Sequence, residues 1–302
     1  MKFADPKNDL AFKKIFGNEK KTEILISLIN SILGFTGDNR VVSVTIVNPY
    51  QVPKIEELKS TILDVKAVNQ RGEHFIVEMQ KKDLNNFAKR SLYYTSKAYV
   101  NQLDSGMKYS NLQKVYFIGI LEFEMFQGDN YITRHLILNR ETLKQEIADF
   151  EFSFIELDKF KKELSECKSV LDKWIYFIKN AESLTMIPKE YEDTKEFLEA
   201  FEIAEQTRWN KEEMEIYDYI SLKEEDDRNA IRTAEKKGLK RGIKQGLKQG
   251  IEQGIEQERA KQEKIQKEKT VKSLKNLLDA GISMEIACNS LGISIDEAKK
   301  LL

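Results

Sequence analysis

Two periods of hydrophobic residues follow one another along the first half of the chain. Apolar side chains recur at helical spacing over residues 9–16 and 22–33, and the second stretch ends at Gly34. From Val41 to Val47 the pattern changes to a β-branched run, which is typical of a strand. Further strands are predicted over residues 61–68, 73–80, 115–123 and 131–138, and an aromatic-rich helix over residues 84–103. The predicted order is therefore helices, three strands, a helix and further strands.

A predicted hairpin carries the candidate chemistry of this region. Residues 69–72, Asn-Gln-Arg-Gly, form its turn. Because side chains alternate between the faces of a strand, Asp64 shares a face with Lys66, and Glu78 shares one with Gln80. If Asp64 lies opposite Glu78, the turn centres on Arg71. The side chains of Asp64, Lys66, Glu78 and Gln80 then all point to the same face of the hairpin. Directly opposed residues have Cβ atoms about 4.5–5.5 Å apart, so the two carboxylates would lie close together.

Two carboxylates at such a distance repel each other, and a divalent cation between them removes the conflict. Mg²⁺ prefers oxygen ligands and usually takes one or two carboxylates while it keeps several waters. A bound ion of this kind lowers the pKa of an attacking water and stabilises the charge of an in-line displacement. We therefore interpret Asp64 and Glu78 as ligands for Mg²⁺, with Mn²⁺ as an alternative, and Gln80 as the residue that orients the water or another metal-bound ligand. The same spacing also fits a hairpin whose carboxylates simply face solvent.

After about residue 150 the pattern becomes mostly helical, with amphipathic stretches over residues 160–179, 194–206 and 209–221. Residues 223–237 are dense in charge, and glycine then recurs at every fourth position from Gly238 to Gly254. An apolar stripe lies beside the glycines and comprises Leu239, Ile243, Leu247, Ile251 and Ile255. Small residues let two helices approach closely, so the repeat predicts a homodimer through this segment. A flexible linker is the alternative.

The C-terminal end has the form of a small helix-turn-helix. Two short helices, 284–291 and 294–302, meet at Gly292, and Ser294 with Glu297 predicts a capping box. A mini-core is expected from Ala287, Leu291, Ile293 and Ile295. The acidic start of the last helix is unsuited to reading DNA bases, which favours a protein-contact module.

These patterns divide the chain into four parts. We predict a core over residues 1–150 and a helical extension packed on it over residues 151–222. A charged helix with the glycine repeat follows over residues 223–278, and the helix-turn-helix-like module covers residues 279–302.

Composition adds limits to this picture. The 302 residues are 41% hydrophobic and 33% charged with a net charge of -1, so a DNA-binding surface must come from local basic patches. Cys167 and Cys288 lie far apart, and with His74 and His135 they form no zinc-ligand spacing. A reducing compartment is therefore expected. The chain contains no apolar run long enough for a membrane span, and we expect a cytoplasmic protein.

Several stretches of the chain, taken in order, resemble a known family. They are D-L-A-F-K-K-I-F-G (9–17), I-L-D-V-K-A (62–67), I-V-E-M-Q (76–80), F-A-K-R-S-L-Y-Y-T-S-K-A-Y-V-N-Q-L (87–103), G-M-K-Y-S-N-L (106–112) and V-Y-F-I-G-I-L (115–121). The family is that of recombination-promoting nucleases and transposase-like proteins, within the PD-(D/E)xK nuclease superfamily. The resemblance covers roughly residues 5–220. It implies an α/β fold with a restriction-endonuclease-like core, a mixed sheet flanked by helices, and a helical C-terminal extension.

The resemblance also implies an activity and its residues. The family's members are metal-dependent endonucleases that act on DNA, in connection with recombination or mobile DNA. The family's aspartate maps to Asp64, its glutamate to Glu78 and its third position to Gln80. The superfamily's commoner third residue is lysine. The missing cation could come from a neighbouring position, and the candidates are Lys66, Lys82, Arg90 and Lys97.

Two further elements bear on the implied site. Asp9 of the first helix is a candidate accessory acid, and its other interpretation is a helix N-cap. On the helix after the hairpin, Arg90, Tyr94 and Lys97 form one stripe that could hold a DNA backbone. The alternative for this stripe is a solvated face with an aromatic edge in the core, and Tyr93 and Tyr99 are expected in that core.

Three hypotheses about function follow. The first is a Mg²⁺-dependent DNA endonuclease that works as a dimer, since one such site cuts one strand. The second is a catalytically weakened module that binds DNA or protein through the same fold. It is favoured by the glutamine at position 80, where the superfamily more commonly has lysine. The third is a scaffold whose helical tail is the functional part, which truncation after about residue 235 would distinguish.

Overall fold

Helices make up most of the chain outside one sheet. The computed structural model describes residues 1–48, 50–51, 61–82 and 86–302. Its helices are α1 Asp9–Phe16, α2 Thr22–Leu33, α3 Phe87–Val100, α4 Val170–Asn180, α5 Lys195–Ala204, α6 Lys211–Asp279, α7 Met284–Leu291 and α8 Ile295–Leu301. In the part of the chain that is described, no helix is both long enough and apolar enough to cross a membrane. The chain forms two units, Met1–Glu224 and Glu225–Leu302.

A mixed six-stranded sheet lies at the centre of the first unit. The strands are β1 Val44–Ile46, β2 Tyr50–Gln51, β3 Thr61–Ile62, β4 Val65–Asn69, β5 His74–Gln80, β6 Val115–Leu121, β7 Ile132–Leu136 and β8 Phe150–Glu156. The sheet has the order β1-β4-β5-β6-β8-β7, and β2 pairs separately with β3. β6 runs parallel to both β5 and β8, and the other neighbours are antiparallel.

Helices cover both faces of this sheet, as the alternation along β6 illustrates. Tyr116, Ile118 and Ile120 pack into one core with the apolar sides of α1, α2, α4 and α5. Val115, Phe117 and Leu121 point the other way and pack with Phe87 of α3. Because both faces are buried, β6 is apolar along its whole length. The predicted α/β class, a mixed sheet flanked by helices with a helical C-terminal extension, is confirmed.

The sheet extends beyond the predicted end of the core. Residues after 150 were expected to be mostly helical, but β8 inserts between β6 and β7. Phe154 and Ile155 are buried on opposite faces of the sheet, as in other central strands. The predicted helix over residues 160–179 is also shorter, because α4 begins only after Ser169, whose Oγ accepts a hydrogen bond from the N–H of Asp172 at 3.0 Å.

Two other predicted elements differ in their bounds. The strand expected over residues 61–68 is interrupted, since β3 ends at Ile62 and β4 begins at Val65. The helix expected over residues 84–103 is α3, which ends at Val100, and its predicted first residue, Leu84, lies outside the described residues.

The second unit contains the rest of α6 with α7 and α8. The charged segment and the glycine repeat are helical throughout. A small core joins Leu274 to the two short helices through Ala287, Cys288 and Ala298. Gly292 joins the helices at a positive φ of 65°, and the Ser294–Glu297 capping box is confirmed. Ile295, which was expected in the mini-core, is instead 42% exposed.

Candidate active site

The hairpin of β4 and β5 has the register that the sequence predicts. Val65 pairs with Val77 and Val68 with His74, so the ladder continued by one step sets Asp64 opposite Glu78. The turn is fixed by Asn69, whose Oδ1 accepts hydrogen bonds from the N–H groups of Arg71 and Glu73 at 2.9 and 3.0 Å. Gly72 completes the turn at a φ of +79°, which favours glycine.

Lys66 of β4 and Glu78 of β5 lie on the sheet face that α3 covers. Val65, Val77 and Met79 belong to the core on the opposite face. By alternation, Glu78 and its neighbours two residues away point toward α3, and Ile76 indeed packs with Phe87 of that helix.

Asp64 and Glu78 are joined to each other's strands by hydrogen bonds. The Oδ2 atom of Asp64 accepts a hydrogen bond from the N–H of Met79 at 2.8 Å. The N–H of Asp64 donates to Oε1 of Glu78 at 3.1 Å. The Asp64 carboxylate therefore takes the place of a backbone acceptor where the strand is interrupted. These two bonds hold the carboxylates next to each other and fix their orientation.

Burial makes this acidic pair electrostatically costly. Glu78 is 5% exposed, and burial, aided by the charge of Asp64, raises the pKa of Glu78 well above its ordinary value. The N–H of Asp64 and the charges of Arg90 and Lys13 oppose that rise without cancelling it. Burial also raises the pKa of Asp64 to about 6, against the opposing effects of the Met79 N–H and Lys13. Among the described residues, the nearby cations therefore do not offset the effect of burial on the pKa values of this pair.

The first helix brings a third acid, Asp9, and a lysine, Lys13, to the pair. The Nζ atom of Lys13 lies 2.7 Å from Oδ1 of Asp9 and 3.6 Å from Oδ1 of Asp64. Asp9 also raises the pKa of Asp64 by its charge and by a side-chain hydrogen bond. The N-cap of α1 is Asn8, whose Oδ1 accepts from the N–H groups of Leu10 and Ala11. The N-cap interpretation of Asp9 is therefore wrong, and Asp9 lies beside Asp64.

Lys13 was not among the residues singled out from the sequence. Its spacing of four residues from Asp9 on a helix was visible, because such residues are neighbours on the helix surface. The sequence did not reveal that this side of α1 faces the hairpin.

On α3, the predicted stripe of Arg90, Tyr94 and Lys97 divides into two parts, because Arg90 contacts Tyr94 and Lys97 lies near Tyr93 instead. Arg90 donates from Nε and Nη2 to the hydroxyl of Tyr94 at 3.1 Å, and its guanidinium lies 5.5 Å from the ring centre of Phe87. The charge of Arg90 acts on Glu78 and lowers the pKa of that carboxyl, against the larger effect of burial. Lys97 lies 5.9 Å from the ring centre of Tyr93. Tyr93 is 43% exposed, so its expected place in the core is wrong.

The remaining predicted residues lie along the same two strands. The amide Nε2 of Gln80 donates to the carbonyl of Lys82 at 2.9 Å, at the end of β5. Lys66 is half-buried on β4, and burial lowers the pKa of its ammonium group. Burial, with the charge of Lys66, lowers the pKa of His74 to about 4. Lys82 is half-buried and lies two residues after the end of β5.

The donor set suits a hard divalent cation. Among the described residues, no group of three or more His, Cys, Asp and Glu side chains is arranged to hold a metal ion. Mg²⁺ needs only one or two carboxylates because water completes its shell. The adjacent carboxylates of Asp64, which is partly buried, and Glu78, which is buried, meet that requirement.

Comparison with known proteins gives the family. The chain matches the family described as PD-(D/E)XK nuclease family transposase over residues 6–234. It belongs to that family, whose membership indicates a nuclease-type hydrolase. Nucleases of this superfamily generally use divalent metal ions. No curated protein and no solved structure matches the chain.

Proposed function

We propose that the protein is a metal-dependent DNA endonuclease that hydrolyses phosphodiester bonds, linked to recombination or mobile DNA. The observation that carries the proposal is the pair of Asp64 and Glu78, a partly buried and a buried carboxylate that hydrogen bonds hold side by side. Family membership supports the same reaction class. The pair would be costly in a merely structural hairpin, since the charge of Asp64 helps to raise the pKa of Glu78.

Asp64 and Glu78 would hold the ion. When Mg²⁺ or Mn²⁺ is bound there, the site lowers the pKa of the attacking water and offsets the charge that develops on the phosphate. The chain contributes preorganisation, because the N–H groups of Met79 and Asp64 fix one oxygen of each carboxylate in advance. Asp9 is the accessory acid of this proposal, since it lies beside Asp64.

DNA would be held along the α3 side of the site. Arg90 is already oriented by the hydroxyl of Tyr94 and acts on Glu78, so it is a contact for the DNA backbone beside the reacting phosphate. Lys66 and Lys97 are further contacts, and Lys82 lies where β5 ends. Gln80 would orient water through its amide.

Plasmid cleavage tests this proposal. Wild type should nick supercoiled DNA in Mg²⁺ or Mn²⁺ but not in EDTA, and Asp64→Ala should abolish nicking. Equal cutting by the variant would make the site assignment wrong. Specific DNA binding without cutting under either metal would favour the alternative, a catalytically weakened binding module, which the uncharged amide of Gln80 supports.

The protein would act as a homodimer through α6. The apolar stripe from Leu239 to Ile255 is more than half exposed at each of its five residues. Beside it runs the glycine row, which leaves a groove without side chains from Gly238 to Gly254. Ridges of residues four apart pack into such grooves in the commonest class of helix pairs. Five interior glycines weaken a single helix by about 5 kcal/mol in sum, at about 1 kcal/mol each, and a partner helix would offset that.

Charge order along α6 favours an antiparallel pair. Residues 236–248 carry six basic side chains and no acidic one, whereas residues 249–258 carry three glutamates and no basic one. A parallel pair in register would set basic against basic. An antiparallel pair centred on Leu247, the middle of the apolar stripe, sets the basic half of each helix against the acidic half of the other.

A further inference from the structure

The motif itself provides no cation at its third position. Gln80 carries an uncharged amide, which donates to the carbonyl of Lys82 at 2.9 Å. A neutral amide cannot balance the negative charge that grows on the phosphate oxygens during hydrolysis, and fixed positive groups are effective for that purpose. A cation must therefore reach the reacting phosphate from another element.

Lys13 already lies at the acidic centre. Its ammonium is 2.7 Å from Oδ1 of Asp9 and 3.6 Å from Oδ1 of Asp64. The side chain is 35% exposed, so it can be reached from solvent and by a ligand. The contact with Asp64 is long for an ion pair with a hydrogen bond, and a lysine stem has the flexibility to move its charge by a few ångströms.

The packing of α1 selects this lysine over its neighbour. Phe12 and Phe16 are buried and their ring centres lie 4.8 Å apart, which fixes the rotation of the helix. Lys14, the next residue, pairs with Glu213 and lies 5.0 Å from the ring centre of Trp209. Of these two adjacent lysines, Lys13 contacts Asp9 and Asp64, whereas Lys14 contacts Glu213 and Trp209.

We infer that Lys13 is the cation that binds the scissile phosphate of the cutting site. It supplies the positive charge that the uncharged amide of Gln80 lacks. In the DNA-free protein its ammonium neutralises part of the charge of Asp64 and Asp9. When DNA binds, the ammonium turns to a non-bridging oxygen of the scissile phosphate and stabilises the charge that develops there. This inference rests on the proposed function, since it concerns the same site.

The test compares Lys13→Met with Lys13→Arg and the matched control Lys14→Met. Cleavage is measured in single turnover, Mn²⁺ affinity is measured by calorimetry on the DNA-free protein, and thermal melts establish that each variant is folded. Lys13→Met should cut about 100-fold more slowly, the scale for removing one group that stabilises the developing charge. It should bind Mn²⁺ at least as tightly as wild type, because the ammonium no longer competes for Asp64. Lys13→Arg should recover part of the rate, and Lys14→Met should cut like wild type.

Two outcomes would overturn the inference while leaving the proposed function in place. In the first, a folded Lys13→Met cuts within twofold of wild type. In the second, Lys13→Met loses Mn²⁺ binding and cleavage together, which would mean that the lysine only shapes the carboxylates. A wild type that neither binds Mn²⁺ nor cuts would instead refute the proposed function, and this inference with it.

Discussion

Replacement of Asp64 by asparagine should stabilise the metal-free protein at alkaline pH. The carboxylate lies beside Glu78 in surroundings that disfavour its charge, and burial is the largest cause of its raised pKa. Asparagine keeps an oxygen that can accept the hydrogen bond from the N–H of Met79. The substitution therefore removes the unfavourable charge and preserves the contact that positions the side chain.

The size of the effect follows from the pKa of Asp64, which rises from 3.8 to about 6 on folding. Each pH unit of difference corresponds to about 1.4 kcal/mol, so the charged side chain costs about 3 kcal/mol. The folded protein binds this proton more tightly than the unfolded chain. Stability is therefore lost as pH rises from about 4 to about 6, and the loss is complete above that range. For a unit of this size, 3 kcal/mol corresponds to roughly 6–12 °C in Tm.

Thermal unfolding in EDTA at pH 4.5 and pH 8 provides the assay. Asp64→Asn should gain several degrees over wild type at pH 8 and clearly less at pH 4.5. The exposed Asp129→Asn serves as the matched control and should show no such pH dependence. Saturating Mg²⁺ should raise the Tm of wild type more than that of Asp64→Asn. A variant that is less stable than wild type at pH 8, or one with the same gain at both pH values, would refute the reasoning.

Two further predictions concern DNA and the partner chain. Arg90→Ala should weaken DNA binding and reduce the slope of log affinity against log salt by about 1, as expected for one lost phosphate contact. The control Lys89→Ala, at an exposed neighbouring residue, should change the affinity and the slope less. Anisotropy titrations at several salt concentrations measure both quantities, and an unchanged slope for Arg90→Ala would contradict the prediction. A spin label at residue 233 (Thr233→Cys) should report a distance between protomers of about 40 Å in an antiparallel pair centred on Leu247, because the partner position is residue 261 and a helix rises 1.5 Å per residue. A distance near 10 Å would indicate a parallel pair, and the absence of any distance would indicate a monomer.

The hairpin register was predictable from the sequence for a physical reason. A one-residue slip would turn Val65 and Val77 out of the core, so the apolar pattern allows one pairing, and the turn at Asn69–Gly72 sets its length. The two carboxylates could therefore be paired before the fold was known. The hydrogen bond from Met79 to Asp64 could not, because it depends on the interruption between β3 and β4.

Tertiary contacts explain what the sequence missed. Lys13 has an ordinary helical context, and only the packing of α1 brings it to Asp64 rather than to solvent. β8 is as long as β5 and β6, but helical patterns follow it directly, so the extent of the sheet was underestimated from the sequence. Tyr93 has the composition of a core residue, but the face of α3 that is buried is defined by Phe87, Ser91, Thr95 and Ala98.

Cleavage by Glu78→Gln tests the central claim most directly. The substitution keeps the shape of the side chain and an oxygen that can accept the hydrogen bond from the N–H of Asp64, but it removes the charge that would hold the metal ion. If Asp64 and Glu78 form a metal-dependent cutting site, the folded variant should cut plasmid DNA in Mg²⁺ at least about 100-fold more slowly than wild type. A rate within twofold of wild type would contradict the claim.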